Sequence, residues 1–362
     1  MTVDEPALIP FRARDECAYD VVALGEVMLR LDPGEDRIRT AHEFRVHEGG
    51  GEYNVARALS SCFGLRAAIV TALVENEIGH LLDGLIRRGG VDVGFRHWLP
   101  FDGVGRAARN PLNFTERGFG ARSALGVSDR GHSAASLLRP GEIDWEHLFG
   151  ELGVRCLHTG GIFTALSPST AAVAEEAMLE ARRFGTAVSY DLNYRPSLWR
   201  DSGGLRAARE LNDRLLPLVD IVIGVQGLDT AESPSVPELD GIKRAIAELG
   251  DRYPRLACAA VTRRIVHSAS CNDWSAVGWS RHAGLVRGHD RERVEILDRV
   301  GGGDGFAAGF LYGLLGGFEL QRALDYGTAH GALVMSTPGD TSSATLQDVV
   351  ELADATTNVF LR

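Results

Sequence analysis

The chain has 362 residues, 44% of them hydrophobic and 24% charged, which is the composition of a folded globular protein with a sizeable core. Its formal net charge of −11 argues against a nucleic-acid-binding surface, because such a surface needs clustered lysine and arginine. The five cysteines are scattered and form no C-x-x-C pair, so neither a zinc site nor a disulfide framework is indicated.

Strands and helices alternate along most of the chain. Apolar, β-branched runs at 19–24 and 67–74 predict two buried strands, and the segment between them predicts a helix at 55–63 that stops at Gly64. The same alternation then predicts helices at 78–88, 169–184, 204–216 and 239–249, and strands at 154–158, 187–192, 219–224 and 256–261. Repeated strand–helix units of this kind predict a mainly parallel sheet with helices on both faces.

Residues 94–140 interrupt this alternation, because short pieces rich in Gly, Arg, Ser and aromatic residues replace the long helical period. We predict that this segment forms strands and loops outside the main sheet, as a lid over a site. The last third of the chain predicts edge strands around 274–279 and 294–297, followed by helices that start at Asp304, Leu320 and Leu346.

Three consecutive glycines, Gly301, Gly302 and Gly303, join a predicted strand to the helix that starts at Asp304. Backbone without side chains can approach a ligand closely, and the start of the helix directs free N–H groups and a positive dipole end at it. A carboxylate fits such an anion hole if Asp304 accepts the proton of an attacking hydroxyl while the N–H groups stabilise a phosphoryl group in transfer. A sharp turn with Asp304 as a helix cap explains the same residues. The glycines alone leave both interpretations open, and neither a Walker motif nor a dinucleotide-binding motif is present.

Four separated segments resemble a known family: VALGEVMLRLDP near the start, GGGEYNVA from Gly49, SYDLNYRPSLW from Ser189 and DRVGGGDGFAAGF from Asp298. The family is that of the ribokinase-like carbohydrate kinases, and within it the resemblance is closest to the 2-keto-3-deoxygluconate kinases. The resemblance implies one domain over residues 1–362 with a Rossmann-like, three-layer α/β/α core, and a small β lid formed by about 32–50 and 94–140. It also implies phosphorylation of a sugar hydroxymethyl group by ATP with Mg²⁺, and frequent dimerisation through the lids.

The substrate side of the site is predicted at a second glycine run. Gly49, Gly50 and Gly51, with Asn54, open a helix and give the backbone another place to press against a polar ligand. The resemblance implies contacts between these residues and sugar hydroxyls. A helix start capped by Asn54 is the alternative explanation.

Asn193 and Arg195 are predicted at the carboxyl end of a parallel strand, where open α/β sheets bind their ligands. The planar fork of Arg195 suits the carboxylate of a sugar acid, and the resemblance implies this role. The predicted lid adds Asn113 and Arg130 as sugar or carboxylate contacts, and Arg130 corresponds to a lid arginine of the family.

On the nucleotide side, the resemblance implies contacts with ATP from Thr262 and Arg264, from Gly303 in the anion hole, and from His330 and Val334 around the adenine. Thr262 and Arg264 belong to the strand-end segment AAVTRRIVHSAS, in which the family places phosphate contacts. The catalytic set that the resemblance implies is Asp304 with the three glycines before it.

The sequence departs from the family after the strand at 219–224. There the family has an asparagine and, shortly after, a glutamate that help to hold Mg²⁺ and the phosphates, but this chain has Val225 and Leu228. This departure leaves open a degenerate kinase fold that binds a sugar acid without turnover. A kinase for another sugar or a nucleoside also stays open, since it would differ only in pocket side chains. Arg195 favours an anionic substrate, and Asp304 favours an enzyme.

The N-terminal sequence MTVDEPALIPFRARDECAYD lacks the basic start and apolar run of an export signal, and no stretch reaches the roughly 18 apolar residues of a membrane span. Unpaired cysteines suit a reducing compartment. We therefore expect a soluble cytoplasmic protein whose partners are a sugar acid, ATP and a second copy of itself, with no membrane or nucleic-acid partner.

Overall fold

Two β-sheets organise the computed structural model, which describes residues 8–225 and 239–355. In chain order the strands are β1 (Tyr19–Leu24), β2 (Met28–Asp32), β3 (Arg45–Gly49), β4 (Ala67–Val74), β5 (Arg96–Leu99), β6 (Leu112–Glu116), β7 (Leu125–Asp129), β8 (Val154–Gly160), β9 (Ala187–Asp191), β10 (Ile221–Ile223), β11 (Cys258–Ser268), β12 (Cys271–Ser280), β13 (Gly284–Arg287) and β14 (Arg291–Glu295).

The α-helices are α1 (Gly51–Ser61), α2 (Glu77–Arg88), α3 (Gly161–Thr164), α4 (Pro168–Arg183), α5 (Pro196–Trp199), α6 (Gly204–Leu215), α7 (Leu239–Arg252), α8 (Gly302–Leu315), α9 (Leu320–Val334) and α10 (Leu346–Asp354). Short 3₁₀ turns lie at Arg14–Glu16, Ile38–Thr40, Ala135–Leu137 and Leu216–Leu218, and a π-helical segment lies at Glu146–Gly153.

The larger sheet has ten strands in the order β13-β12-β11-β10-β9-β8-β1-β4-β5, with β14 paired to β12. All neighbours from β11 to β5 run parallel, whereas β12, β13 and β14 pair in antiparallel fashion. The predicted mainly parallel sheet is confirmed, and the antiparallel edge lies where the sequence indicated edge strands.

Apolar cores on both faces of this sheet explain why its central strands are almost entirely buried. In β1, Val22 and Leu24 belong to the core that contains Val173 of α4. Val21 points the other way, into the core that contains Phe306 and Phe310 of α8. The sheet is therefore sandwiched between helical layers, as the alternation of strands and helices predicted.

The smaller sheet has the order β3-β2-β6-β7. Its side chains alternate between two faces. One cross-strand row contains Arg30, Asn113 and Ser128, and the last two line the cavity described below. The neighbouring row, Val46, Leu31, Phe114 and Val127, faces away from that cavity.

The predicted exclusion of residues 94–140 from the main sheet is wrong at β5, because Arg96–Leu99 pairs in parallel with β4. The strand has only four residues, RHWL, and all are half-buried, since an edge strand has a single neighbour. The apolar signal that identified the central strands is therefore missing there. The smaller sheet also begins earlier than expected, since β2 starts at Met28.

Candidate active site

The site lies where the carboxyl ends of the parallel strands meet the smaller sheet. Asp191 at the end of β9 and Ile223 at the end of β10 contribute to a cavity of about 510 Å³. The smaller sheet contributes Met28, Asn113, Ser128 and Arg130, and the N-terminal turns of α1 and α8 complete the walls. A crevice outside the carboxyl ends of the strands is where open α/β sheets bind ligands.

Asp304 lies in the first turn of α8 and faces this cavity. Its Oδ2 accepts a hydrogen bond of 2.7 Å from Nδ2 of Asn54. Desolvation raises the pKa of Asp304 to about 6, helped by the negative charge of Asp340 and opposed by Asn54 and Arg195. At neutral pH the carboxylate is therefore largely ionised yet basic enough to accept a proton, as a general base requires.

The glycines before Asp304 differ in their surroundings. Gly301 has a φ of +82°, and a Cβ there would overlap the carbonyl oxygen of Asp340, so only glycine fits. Gly303 is exposed and lines the cavity together with Gly301. Gly302 is buried, and a Cβ on it would lie 2.9 Å from Cγ of Met335. The turn thus presents Gly301 and Gly303 to the cavity, whereas the close packing of Gly302 on Met335 keeps it out of the lining.

The second glycine run divides in the same way. Gly50, with a φ of +146°, and Gly51 line the cavity at the start of α1. Gly49 does not line it, because it packs against the side chain of Asp340 so closely that a Cβ would overlap Oδ2. Gly49 therefore makes room for Asp340, whereas Gly50 and Gly51 face the cavity.

Asn193 and Arg195 both line the cavity, and a local turn brings them there. Asn193 has a φ of +25°, and its N–H donates a hydrogen bond of 3.1 Å to Oδ1 of Asp191. Desolvation and the charge of Asp304 raise the pKa of Asp191 to about 7, although Arg195 and the N–H of Asn193 lower it. Sequence reasoning overlooked Asp191; its position at the end of a predicted strand was the available signal.

Polar side chains of the smaller sheet cover the other side of the cavity. Asn113 donates a hydrogen bond of 3.0 Å to Thr115, and Oδ1 of Asn113 accepts one of 2.9 Å from Ser128. Arg130 forms an ion pair of 3.0 Å with the buried Glu26. The negative charge of Glu26 thus partly neutralises Arg130. Arg195, in contrast, forms no ion pair with any of the described residues.

Thr262 and Arg264 also line the cavity. Burial lowers the pKa of Arg264, and the nearby guanidinium groups of Arg299 and Arg195 lower it further. Three arginines that face one cavity and repel one another favour a ligand with several negative charges. Arg299 was not identified from the sequence, because an arginine in a loop usually indicates only a solvated surface.

Val225 lines the cavity near Thr262 and is buried, so an apolar side chain occupies the position of the expected asparagine. Leu228, the second departure, lies outside the described residues. Within 8–225 and 239–355, no group of three or more His, Cys, Asp or Glu residues is arranged to hold a metal ion.

His330 and Val334, the predicted adenine contacts, lie where α9 packs on α8. Both are buried in α9, and neither lines the cavity. Nδ1 of His330 lies 2.7 Å from the carbonyl oxygen of Gly305, and burial lowers the pKa of His330 to about 4, so the ring is neutral and donates this hydrogen bond. Val334 packs against Gly305, where a Cβ would approach it to 2.7 Å. Both side chains serve the close packing of α9 on α8.

Glu52 is a further acidic residue beneath the cavity that sequence reasoning passed over. It is buried in the first turn of α1, and Oε1 accepts a hydrogen bond of 3.3 Å from the N–H of Phe163. Burial raises the pKa of Glu52 to about 8, with added repulsion from Asp304 and Asp191. Glu52 is therefore mostly protonated at neutral pH, which limits the negative charge under the site.

No helix in the described ranges is both long enough and apolar enough to cross a membrane. All five cysteines are free thiols.

Comparison with known proteins gives consistent matches over most of the chain. The family model described as "pfkB family carbohydrate kinase" matches residues 18–226 and 277–347. The 2-dehydro-3-deoxygalactonokinase of Haloferax volcanii is 30% identical over 332 residues, covering 91% of this chain and 95% of that protein. The 5-dehydro-2-deoxygluconokinase of Shouchella clausii is 26% identical over 323 residues, covering 88% and 90%. The crystal structure of 2-dehydro-3-deoxygluconokinase from Thermotoga maritima is 30% identical, covers 92% of this chain and 99% of its own, and has a TM-score of 0.82.

Proposed function

The chain belongs to the pfkB family of carbohydrate kinases and is therefore a phosphotransferase, and from this we propose that its substrate is a sugar acid. We propose in particular that it transfers the γ-phosphoryl group of ATP to the hydroxymethyl group of 2-keto-3-deoxygluconate, forming the 6-phosphate. The observation that carries the proposal is that Asp304, a candidate base, and Arg195, a candidate carboxylate partner, line one cavity.

The proposed chemistry uses Asp304 as the base. Its carboxylate takes the proton of the sugar hydroxyl as the hydroxyl oxygen bonds to the γ-phosphorus, and the bond from that phosphorus to the ADP oxygen breaks. The N–H groups at the start of α8, around Gly301 and Gly303, stabilise the charge on the transferred group. Asn54 holds the carboxylate in place through its hydrogen bond.

The other end of the substrate is proposed to bind at Arg195. Its guanidinium has no ion pair among the described residues, so a substrate carboxylate would supply one. Asn113, Ser128 and Asn193 offer hydrogen bonds to sugar hydroxyls. Arg130 contributes less charge because Glu26 pairs with it. The relatives whose names specify 2-dehydro-3-deoxy sugar acids support this class of substrate.

A second candidate substrate is 5-keto-2-deoxygluconate. The relative from Shouchella clausii is named for it, and this molecule is also a sugar acid, so Arg195 fits both. The two substrates differ in where the keto and deoxy positions lie, which the polar side chains of the smaller sheet would have to distinguish.

The residues present fit the triphosphate of ATP. Arg264 and Arg299 bring positive charge to the cavity, and Thr262 adds a hydroxyl. Mg²⁺ bound with ATP would neutralise phosphate charge, as it does when held mainly by phosphates and water. We propose that Arg264 and Arg299 contact the phosphates directly and so offset the loss of the polar side chain at Val225.

We also propose a homodimer that forms through the outer face of the smaller sheet. Val46, Leu125 and Val127 on that face are 42%, 50% and 46% exposed, and Val46 and Val127 belong to an apolar row that continues through Leu31 and Phe114. A second copy of the same face would bury the row symmetrically. The mass in solution, measured by light scattering for the parent and for Val127→Glu, tests this: a dimer that becomes monomeric supports the interface, and a monomeric parent contradicts it.

The five free thiols fit a reducing compartment, and we propose that the enzyme acts in the cytoplasm.

The proposed activity is tested by measuring ATP consumption with sugar acids, neutral sugars and nucleosides, with and without Mg²⁺. Turnover with 2-keto-3-deoxygluconate well above that with neutral sugars and nucleosides supports the proposal. A preference for a neutral sugar or a nucleoside would refute the sugar-acid assignment, and binding without turnover would indicate the degenerate alternative.

A further inference from the structure

Arg30 lies where the smaller sheet meets the core, and it is among the largest side chains with no exposed surface. Its Nη1 forms an ion pair with Asp340, and its Nη2 forms one with Asp298 and one of 3.2 Å with Asp32. Burying a guanidinium is unfavourable unless it is paired. Burial opposes the charged form, yet Asp340 and Asp298 outweigh it and raise the pKa of Arg30, so the side chain stays a cation.

Asp298 links Arg30 to the turn that precedes α8. Oδ1 of Asp298 accepts a hydrogen bond of 3.1 Å from the N–H of Val300, one residue before Gly301. Oδ2 accepts one of 3.3 Å from the N–H of Gly339. The carboxylate thus fixes both the start of the anion-hole turn and the loop that lies behind it.

Asp340 links Arg30 to both glycine turns at once. Gly301 on one side and Gly49 on the other are so close to Asp340 that a Cβ on either would overlap it. Asp340 also lines the cavity. Any shift of Asp340 would therefore move the backbone that presents N–H groups to the site.

We propose that Arg30 is a positioning residue for phosphoryl transfer, whose forked guanidinium holds Asp298 and Asp340 and thereby ties the anion-hole turn to the smaller sheet. The role of that turn in phosphoryl transfer rests on the proposed function. The connection from the smaller sheet to the turn through Arg30 rests on the ion pairs alone. Arg30 does not line the cavity, so it acts through the two aspartates. A lysine would bring a single nitrogen, which cannot span the two carboxylates as the separate Nη1 and Nη2 of the guanidinium do.

The balance of charge explains why the link depends on the guanidinium. Three carboxylates surround Arg30, and among the described residues Asp32 has a second arginine partner, Arg117 at 3.4 Å, whereas Asp298 and Asp340 have no ion pair with another arginine. Without Arg30, the buried charges of Asp298 and Asp340 would be left without an arginine between them. Leaving a buried carboxylate unpaired is strongly unfavourable, so the two segments would move apart or take in water.

The test compares the parent with Arg30→Ala and Arg30→Lys. Amide hydrogen exchange is measured by mass spectrometry in peptides spanning 298–304 and 336–342, with a peptide from α4 as the control. We expect faster exchange in both site peptides of Arg30→Ala, an intermediate effect in Arg30→Lys and no change in α4. We also expect kcat to fall about 100-fold, the scale of a displaced catalytic group, while KM for the sugar acid stays within about three-fold.

Ethylguanidinium provides a rescue that a general stabilising role would not show. In Arg30→Ala it should fit the vacated space, slow exchange in the two site peptides and raise kcat about ten-fold, whereas ethylurea, uncharged and similar in shape, should do neither. Unchanged exchange in Arg30→Ala, equal rescue by ethylurea, or failure of both variants to fold would each overturn the proposal. The hydrogen-exchange measurement needs no turnover. An inactive parent would therefore refute the proposed function, whereas the exchange rates of the parent and the Arg30 variants would still decide the role of Arg30.

Discussion

Nδ2 of Asn54 donates a hydrogen bond of 2.7 Å to Oδ2 of Asp304, which joins two glycine turns that lie 250 residues apart in the chain. Each turn opens a helix, α1 at Gly51 and α8 at Gly302, so the bond also aligns the N-terminal ends of two helices at one cavity. Because Asn54 donates to the ionised form of Asp304, it also tunes the proton affinity of the proposed base.

The first prediction concerns this tuning. The pKa of Asp304 is raised to about 6, and Asn54 is among the groups that lower it. A base must be deprotonated to act, so kcat/KM of the parent should fall as the pH drops through about 6. Asn54→Ala removes the hydrogen bond to the carboxylate and should move this acid limb to higher pH. Asn113→Ala serves as the control, because Asn113 lines the same cavity but bonds to Thr115 and Ser128, and it should leave the limb in place.

The second prediction concerns stability and Glu52. Burial raises the pKa of Glu52 to about 8 in the folded chain, so the folded state binds a proton that the unfolded state releases near its ordinary value. The free energy of unfolding therefore loses a contribution as the pH rises from about 5 to about 9, since each pKa unit is worth about 1.4 kcal/mol. Glu52→Gln mimics the protonated form and should match the parent at pH 5 but exceed it by at least about 1 kcal/mol at pH 9.

Urea unfolding at both pH values measures this difference. Glu146→Gln, at an exposed glutamate, is the control and should differ little from the parent at either pH. A Glu52→Gln variant with the same stability difference at pH 5 and pH 9 would show that the buried carboxyl does not titrate as proposed.

The third prediction concerns selection of the substrate charge. If Arg195 pairs with a carboxylate, Arg195→Ala should weaken binding of a sugar acid by about 2–3 kcal/mol, roughly 30- to 150-fold, and barely affect a neutral sugar. Calorimetry with the acid and with the corresponding alcohol measures both. Arg200→Ala, at an exposed arginine outside the cavity, is the control. Equal losses for acid and alcohol would mean that Arg195 only orients its neighbours.

The fourth prediction concerns the apolar side chain at Val225. We expect an active enzyme with a high Mg²⁺ optimum, because ATP phosphates can hold most of the ion's coordination without an asparagine at this position. Val225→Asn together with Leu228→Glu should raise turnover at low Mg²⁺ and lower the optimum. Val225→Ala, which changes size without adding a polar group, should not. Identical Mg²⁺ dependence in the parent and the double variant would remove these positions from metal handling.

The fold and the two glycine-led helix starts at the cavity could be predicted from the sequence because the relevant signals are local. Buried β-branched runs predicted the parallel strands, and the glycine runs next to Asn54 and Asp304 predicted the two helix starts that the structure brings together. The strand β5 was missed because an edge strand of four half-buried residues has no apolar run to reveal it.

Other features depend on tertiary contacts that no local pattern contains. The arginine in VMLRLDP could be an exposed residue on a lid strand, and only folding shows Arg30 between Asp298 and Asp340. His330 was expected at the adenine because its segment resembles the family, but the resemblance does not indicate which side of α9 faces α8. The raised pKa of Asp191 likewise depends on burial and on the nearness of Asp304, which lies on a different element.

The most direct test of the central claim is detection of the phosphorylated sugar acid by mass spectrometry and ³¹P NMR, with the parent and Asp304→Asn compared at equal calorimetric occupancy by 2-keto-3-deoxygluconate. The parent should form the 6-phosphate, and the variant should bind the sugar acid within a few-fold of the parent but turn over roughly 100- to 10,000-fold more slowly, as expected when a general base is lost. Near-parent turnover in Asp304→Asn, or a parent that binds the sugar acid and forms no phosphorylated product at any Mg²⁺ concentration, would contradict the account.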